Sequence, residues 1–284
     1  MTKLPACGRR AGDEGLDFKQ EYHMILCLDV GNSFIYGGVF ENEKLLLQFR
    51  YPSSLPSTSD QLGVFFKSIL RENDLDPKSI QNIAVCSVVP SLDYPLRASL
   101  IKYFAIDPFF LKAGAKTGIK LNYKNTHEIG ADRIADAIAA LHHFPNKNLI
   151  VVDLGTATTF DILTKDRSYL GGVIIPGIHI AMKALNENTA KLPPVNILKP
   201  EAIIGQTTVS NIQSGLYYSQ LGAMREVIQN ITQEQFHDEK PVIIGTGGFA
   251  YLFEQEGIFN IIIPDLVLQG LYLSFQKQKA SRNE

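Results

Sequence analysis

Two stretches of the chain end an apolar run on an aspartate, then a glycine, then hydroxyl-bearing side chains. One is "MILCLDVGNSFIYGGVF" at 24–40 and the other "LIVVDLGTATTFDIL" at 149–163, with Asp29 and Asp153 closing the two runs. Glycine in such a turn lets the backbone approach a ligand closely, and neighbouring N–H groups can hold phosphate oxygens. Ser33, Thr156, Thr158 and Thr159 add hydroxyl donors. An aspartate at each strand end can hold a metal ion that offsets triphosphate charge. The plain alternative for one such turn is that it simply ends a strand. Two at matched places in a repeated order of elements point to a shared phosphate-binding cleft.

A third segment, "GADRIADAI" at 130–138, puts Asp132 and Arg133 at the start of a helix. A carboxylate there can accept the proton of an attacking hydroxyl while the arginine pairs with a substrate carboxylate. The plain alternative is an acidic residue that suits the helix dipole. The loop "IIGTGGF" at 243–249 reads either as a tight turn or as a lining for adenine or ribose. It is too short for a dinucleotide fingerprint, and the chain has no Walker A sequence. The histidines read as structural, since His142 and His143 are adjacent on a helix and point apart.

The elements that must carry these residues follow from periodicity. Strands are expected at 24–29, 34–40 and 44–50, a helix around 62–70 opened by Ser59-Asp60, a strand at 82–89, a helix at 95–104 and a short strand at 108–112. The order then recurs: strands at 149–153, 157–164 and 168–175, helices at 178–191 and 209–231, strands at 241–248 and 260–264, and a closing helix at 266–276. The link between the halves contains a helix from 131 to 144 with Ile134, Ala137, Ile138 and Leu141 on one apolar face. A three-stranded meander opening each half predicts a duplicated α/β unit rather than an alternating Rossmann series.

Composition bounds the rest. The chain has 284 residues, 45% hydrophobic and 20% charged, with net charge −2 and no basic block, which argues against nucleic acid as a partner. No apolar run approaches the roughly 18 to 20 residues that span a bilayer. Residues 1–23 lack the apolar centre of a secretory signal and read as a disordered leader or an alternative start. Cys7, Cys27 and Cys86 have no metal spacing, and a reducing cytoplasm suits them.

Together, "DVGNSFIYGGVF", "GADRIADAIAA", "VVDLGTATTFDIL", "GGVIIPGIHIAMKALNENTAKLP", "IGQTTVSNIQSGLYY", "IIGTGGFA" and "LVLQGLYLSF" resemble the type III pantothenate kinases of bacterial coenzyme A biosynthesis. The resemblance spans residues 25 to about 275. It implies the actin-like acetate and sugar kinase superfamily, with two ribonuclease-H-like domains at 24–130 and 131–284 and a nucleotide in the cleft between them. It further implies ATP-dependent phosphorylation of the primary hydroxyl of pantothenate. By the family pattern Asp29, Gly31, Asn32, Ser33, Tyr36 and Thr156 bind ATP, and Asp132 is the proton acceptor. Tyr123, Gly130, Ala131, Asp132, Arg133 and Thr208 bind pantothenate. Asp29 acts on Mg²⁺, directly or through water, and Asp153 is the ligand of a monovalent cation, potassium or ammonium. A cytoplasmic homodimer with the substrate site near the subunit interface is implied as well. Ser33 replaces the family's commoner threonine and keeps its hydroxyl; Thr126 stands where the family often has proline. The readings set against this one are a regulatory accessory protein of the same fold, a kinase for another small hydroxylated acid or sugar, and an actin-like filament.

Overall fold

The computed structural model describes residues 24–53, 57–112, 114–115, 117–237 and 239–281. The expected leader at 1–23, with Cys7, lies outside them. The first half runs β1 (Met24–Val30), β2 (Phe34–Glu41), β3 (Lys44–Pro52), α1 (Ser59–Arg71), β4 (Ile80–Ser87), α2 (Pro90–Phe104) and β5 (Phe109–Phe110). After β6 (Lys120–Leu121) and α3 (Ala131–His143), the second half runs β7 (Leu149–Leu154), β8 (Ala157–Leu163), β9 (Ser168–Pro176), α4 (Ile178–Glu187), α5 (Thr208–Ile231), β10 (Val242–Thr246), β11 (Ile261–Ile262) and α6 (Leu266–Ala280).

The two sheets repeat one topology. The first is five-stranded in the order β3-β2-β1-β4-β5; the second is six-stranded in the order β11-β10-β7-β8-β9-β6, the same arrangement with β6 added at one edge. In each, the opening strand pairs antiparallel with the next strand and parallel with the strand that follows the meander. The expected mixed α/β duplication is therefore present in both sheets.

Some boundaries differ from the periodic reading. Helix α2 starts at Pro90, not 95, because a proline at the first helical position needs no N–H partner and has its φ preset. Pro95 then falls inside the helix. Strand β4 covers 80–87 because its parallel partner β1 runs from Met24 to Val30, which pairs with Ser87. Helix α4 stops at Glu187, where Asn188 turns its side-chain amide back to the carbonyl of Ala184 at 2.9 Å. Strand β6 is too short to announce itself by alternation; it is fixed by pairing with Ser168 and Tyr169 of β9.

Each sheet is covered on both faces. Leu26, Leu28, Val30, Ile83 and Val85 pack outward against Leu62, Phe66 and Leu70 of α1 and Leu92, Leu96 and Leu100 of α2. Ile150, Val152 and Ile243 pack outward against Ile178 of α4 and Leu216, Leu221 and Met224 of α5. The alternate residues, Ile25, Cys27, Ala84 and Cys86 on one sheet and Leu149, Val151 and Ile244 on the other, meet in a shared layer formed by α3 and α6. Helix α3 is thus buried from Arg133 to Leu141 on every side, not on one apolar face. Its alanines make this possible, because α6 approaches closely enough that a Cβ on Gly270 would stand 1.8 Å from the carbonyl oxygen of Ala135.

Gly270→Ala tests that contact. An unobstructed helical Gly→Ala exchange would stabilise by up to about 1 kcal/mol. Backbone overpacking costs about 1–3 kcal/mol. The clash is expected to win, so urea unfolding should show a lower midpoint for the variant; a higher one would refute the packing described.

Candidate active site

Because side chains alternate along a strand, Asp29 shares the face of Ile25 and Cys27, and Asp153 that of Leu149 and Val151. Both carboxylates therefore point into the layer held by α3 and α6. Asp29 lies opposite Tyr36 on β2 and Cys86 on β4; Asp153 lies opposite Thr159 on β8 and Thr246 on β10. The Cys86 thiol donates to Asp29 Oδ1 at 3.3 Å. Burial, with Asp29 and Asp132 adding to it, pushes that thiol well above its ordinary range, so it keeps its proton.

The turns that follow the two aspartates face each other. Ser33 Oγ and Thr156 Oγ1 are 2.9 Å apart although 123 residues separate them. The first turn is closed by Gly31 N–H to the carbonyl of Phe34 at 3.0 Å and braced by Ser53, whose hydroxyl donates to the carbonyl of Gly31 at 2.5 Å. Asn32 and Ser33 are exposed at its tip, as is Thr156 at the tip of the second. The loop after β10 closes on the second turn. Gly247 has φ +86°, and a Cβ there would stand 2.2 Å from Asp153 Oδ1. Thus "GTGG" is a turn that glycine alone fits, packed beside Asp153. Tyr36 sits deeper than the exposed tip: its ring is buried in the central layer beneath the Arg50 guanidinium, 4.7 Å away.

At the start of α3, Asp132 Oδ1 accepts the backbone N–H of Arg133 at 2.8 Å. Gly130 leaves room for it, since a Cβ at 130 would stand 2.3 Å from that oxygen. Arg133 turns inward. Its Nε and Nη2 lie 2.8 and 2.7 Å from Asp161 Oδ1, and Nη2 also donates to the carbonyl of Phe160 at 3.4 Å. Tyr169 donates its hydroxyl to the same Asp161 oxygen at 2.5 Å. The Tyr169 ring lies 6.4 Å from that of Tyr123, which in turn packs against Gly171. Thr208 is set apart, at the first position of α5, in a groove of about 880 Å³ between α4 and α5.

Several carboxylates enter this otherwise apolar layer. Burial, then repulsion from Asp132 and Asp153, raises Asp29 to about 8 even though the Cys86 thiol opposes the shift. Burial, then repulsion from Asp132 and Asp161, raises Asp153 to about 7. Asp132 is raised by burial, against the pull of the Arg133 N–H and guanidinium. Asp136, one helical turn beyond Asp132 and 3% exposed, is raised well above the carboxylate range by burial and then by Asp153, Asp161, Asp132 and Asp29. Its Oδ1 has no hydrogen-bond partner. Sequence patterning assigns no site role to Asp136, Asp161 or Tyr169, and it reads Cys86 only as a buried thiol. Helical spacing from Asp132 would have flagged Asp136, and strand parity with Thr159 would have flagged Asp161.

Among the described residues no three His, Cys, Asp or Glu side chains converge to hold a metal by themselves. Magnesium is commonly held by one or two carboxylates plus substrate phosphates and water, a role that Asp29 behind the first turn fits. Two partly ionised, mutually repelling carboxyls in one layer also favour a cation there.

Raised carboxyls have a consequence for stability. The folded form binds protons that the unfolded chain has already released, so stability is fully present below about pH 4 for these groups and is lost as pH rises toward 7 for Asp153 and 8 for Asp29. Each contributes a slope of up to about 1.4 kcal/mol per pH unit in that window. Ligand-free protein should therefore lose unfolding free energy between pH 5 and 8, and Asp136→Asn should flatten the loss; a stability that climbs over this range would contradict the assignment.

The family description "Type III pantothenate kinase" matches residues 25–230. A type III pantothenate kinase of Legionella pneumophila (strain Corby) is 55% identical over 251 residues, covering 88% of this chain and 98% of the relative. The type III pantothenate kinase 1 of Francisella tularensis subsp. holarctica (strain OSU18) is 48% identical over 256 residues, 90% of this chain and 100% of the relative. Among solved structures, a protein from Sinorhizobium meliloti described as a 2-dehydro-3-deoxygalactonokinase superposes with a TM-score of 0.59 at 12% identity, covering 90% of this chain and 96% of that one. This last likeness is one of fold alone. With facing turns, a carboxylate at the start of α3 and matches over nearly all of the described residues, the chain belongs to the type III pantothenate kinase family.

Proposed function

We propose that the protein phosphorylates the primary hydroxyl of pantothenate with ATP, as the first step of coenzyme A biosynthesis. The observation that carries this reading is the meeting of Ser33 and Thr156 at 2.9 Å above two inward-facing aspartates. The arrangement suits a triphosphate held between the halves 24–130 and 131–284, which we read as two domains. Asp29, Gly31, Asn32 and Ser33 line one side and Thr156 the other, with Tyr36 supporting β2 from beneath.

Asp132 takes the hydroxyl proton as that oxygen attacks the γ-phosphorus. A carboxyl raised by burial above its ordinary range is a better base for this step than a solvated one. Arg133 engages the substrate carboxylate, with Gly130, Ala131 and Tyr123 around it. Asp29 would hold magnesium, directly or through water, and Asp153 a potassium or ammonium ion. These cations, when bound, offset the charge of the triphosphate.

A homodimer is part of the same reading. Ile180 and Leu185 of α4, Val209 of α5 and Ile203 and Ile204 before it are exposed, an apolar surface beside the groove that holds Thr208. We place the substrate contact of Thr208 at that interface. A cytoplasmic location suits the free buried thiols of Cys27 and Cys86. Among the described residues no helix is long and apolar enough to cross a membrane.

An ADP-release assay tests the function. Release should depend on pantothenate and increase with potassium or ammonium. Asp132→Asn should lower kcat by about 10²–10⁴-fold while retaining ATP binding. No pantothenate-dependent ADP release with either ion would refute the function, and a fully active Asp132→Asn would remove the base.

A further inference from the structure

The guanidinium of Arg133 is held more tightly than a charge that merely waits for substrate. Asp161 is fully buried on β8, and one of its oxygens receives both Nε and Nη2 of Arg133. Tyr169 of β9, also fully buried, donates to that same oxygen, and its ring lies beneath the guanidinium with 6.0 Å between the Arg133 Cζ and the ring centroid. The neighbouring strand is cut away to admit the arginine. A Cβ on Gly172 would stand 2.2 Å from Arg133 Nη2 and 2.0 Å from the carbonyl oxygen of Phe160. Among the described residues, the polar contacts of the guanidinium run through Nε and Nη2.

A guanidinium offers five N–H donors in a rigid plane, so fixing one edge fixes the direction of the other. Asp161 and Phe160 occupy the Nε–Nη2 side, which turns the Nη1 corner away from β8. The long, four-torsion side chain is thereby restricted before any ligand arrives, and binding then loses less rotamer entropy. Tyr169 extends the same support to Tyr123 through their ring contact at 6.4 Å.

Resting on the pantothenate reading, we propose that Asp161 and Tyr169 are positioning residues that set selectivity for a carboxylate-bearing substrate by locking the guanidinium of Arg133. Neither touches the transferred phosphoryl group. Their effect falls on recognition of the substrate's anionic end and leaves the reacting hydroxyl to Asp132.

The test compares two substrates: pantothenate, and an amide analogue that keeps the primary hydroxyl but has no negative charge. For Asp161→Asn, KM for pantothenate should rise by about tenfold or more, as expected for disturbing a buried charge pair at a binding site. Its kcat should stay within about threefold, and KM for the neutral analogue within about twofold, because that analogue offers nothing charged to the arginine. Tyr169→Phe, which removes a single hydrogen bond, should show the same pattern at about threefold in KM. This milder variant decides the matter if Asp161→Asn does not fold. An equal loss on both substrates would assign the two residues a purely structural role and overturn the inference. So would an unchanged or lowered KM for pantothenate. If the unaltered enzyme turns over the neutral analogue but not pantothenate, the pantothenate reading itself fails, and this inference with it.

Discussion

The structure depends on one constraint: two sheets share a single helical layer. Helix α3 lies between them with α6 against it, at a distance that only Gly270 and the small side chains of α3 permit. Since side chains alternate along a strand, each sheet can present only every second residue to that layer. Asp29 and Asp153 fall on the inward parity of equivalent strands. Duplication of the fold therefore brings two like-charged strand ends into one space, with the start of α3 supplying a third carboxylate, Asp132.

Such a layer works against folding. Asp29, Asp132, Asp136, Asp153 and Asp161 are all shifted upward by burial, most of them further by one another, and Arg133 is the cation that faces them. The Nε and Nη2 groups of the arginine pair with Asp161, so Asp161 is the member of the group that it offsets most directly. The remaining carboxyls lower their cost by holding protons or by accepting weak donors such as the Cys86 thiol. Mutual repulsion among these carboxyls favours the binding of cations, and a metal–nucleotide complex brings them. Burial raises Asp132 in the same way, which makes it a stronger base than a solvated carboxylate.

Much of this was legible in the sequence. The repeated D-x-G grammar located both strand ends, the strand order foretold the duplicated sheets, and "GADR" marked the start of α3. Other features were hidden for physical reasons. Periodicity showed α3 as an amphipathic helix because alanine reads as a weak apolar signal; that α6 would bury its other side depends on a contact far along the chain. Asp161 lies inside an ordinary-looking strand, and its pairing with Arg133 depends on the placement of β8 against α3. Asp136 drew no separate reading, since its burial depends on the same packing around α3. Strand β6 and the close approach of Gly247 to Asp153 are long-range facts that no local pattern carries.

The proposed chemistry requires the two facing turns to hold one triphosphate and Asp132 to receive the proton of the acceptor hydroxyl. The most direct test is a crystal structure with pantothenate, magnesium and a non-hydrolysable ATP analogue. The triphosphate is expected between the turns of Ser33 and Thr156, with the primary hydroxyl within about 3 Å of an Asp132 carboxylate oxygen. A triphosphate bound outside those turns, or a primary hydroxyl directed away from Asp132, would contradict it.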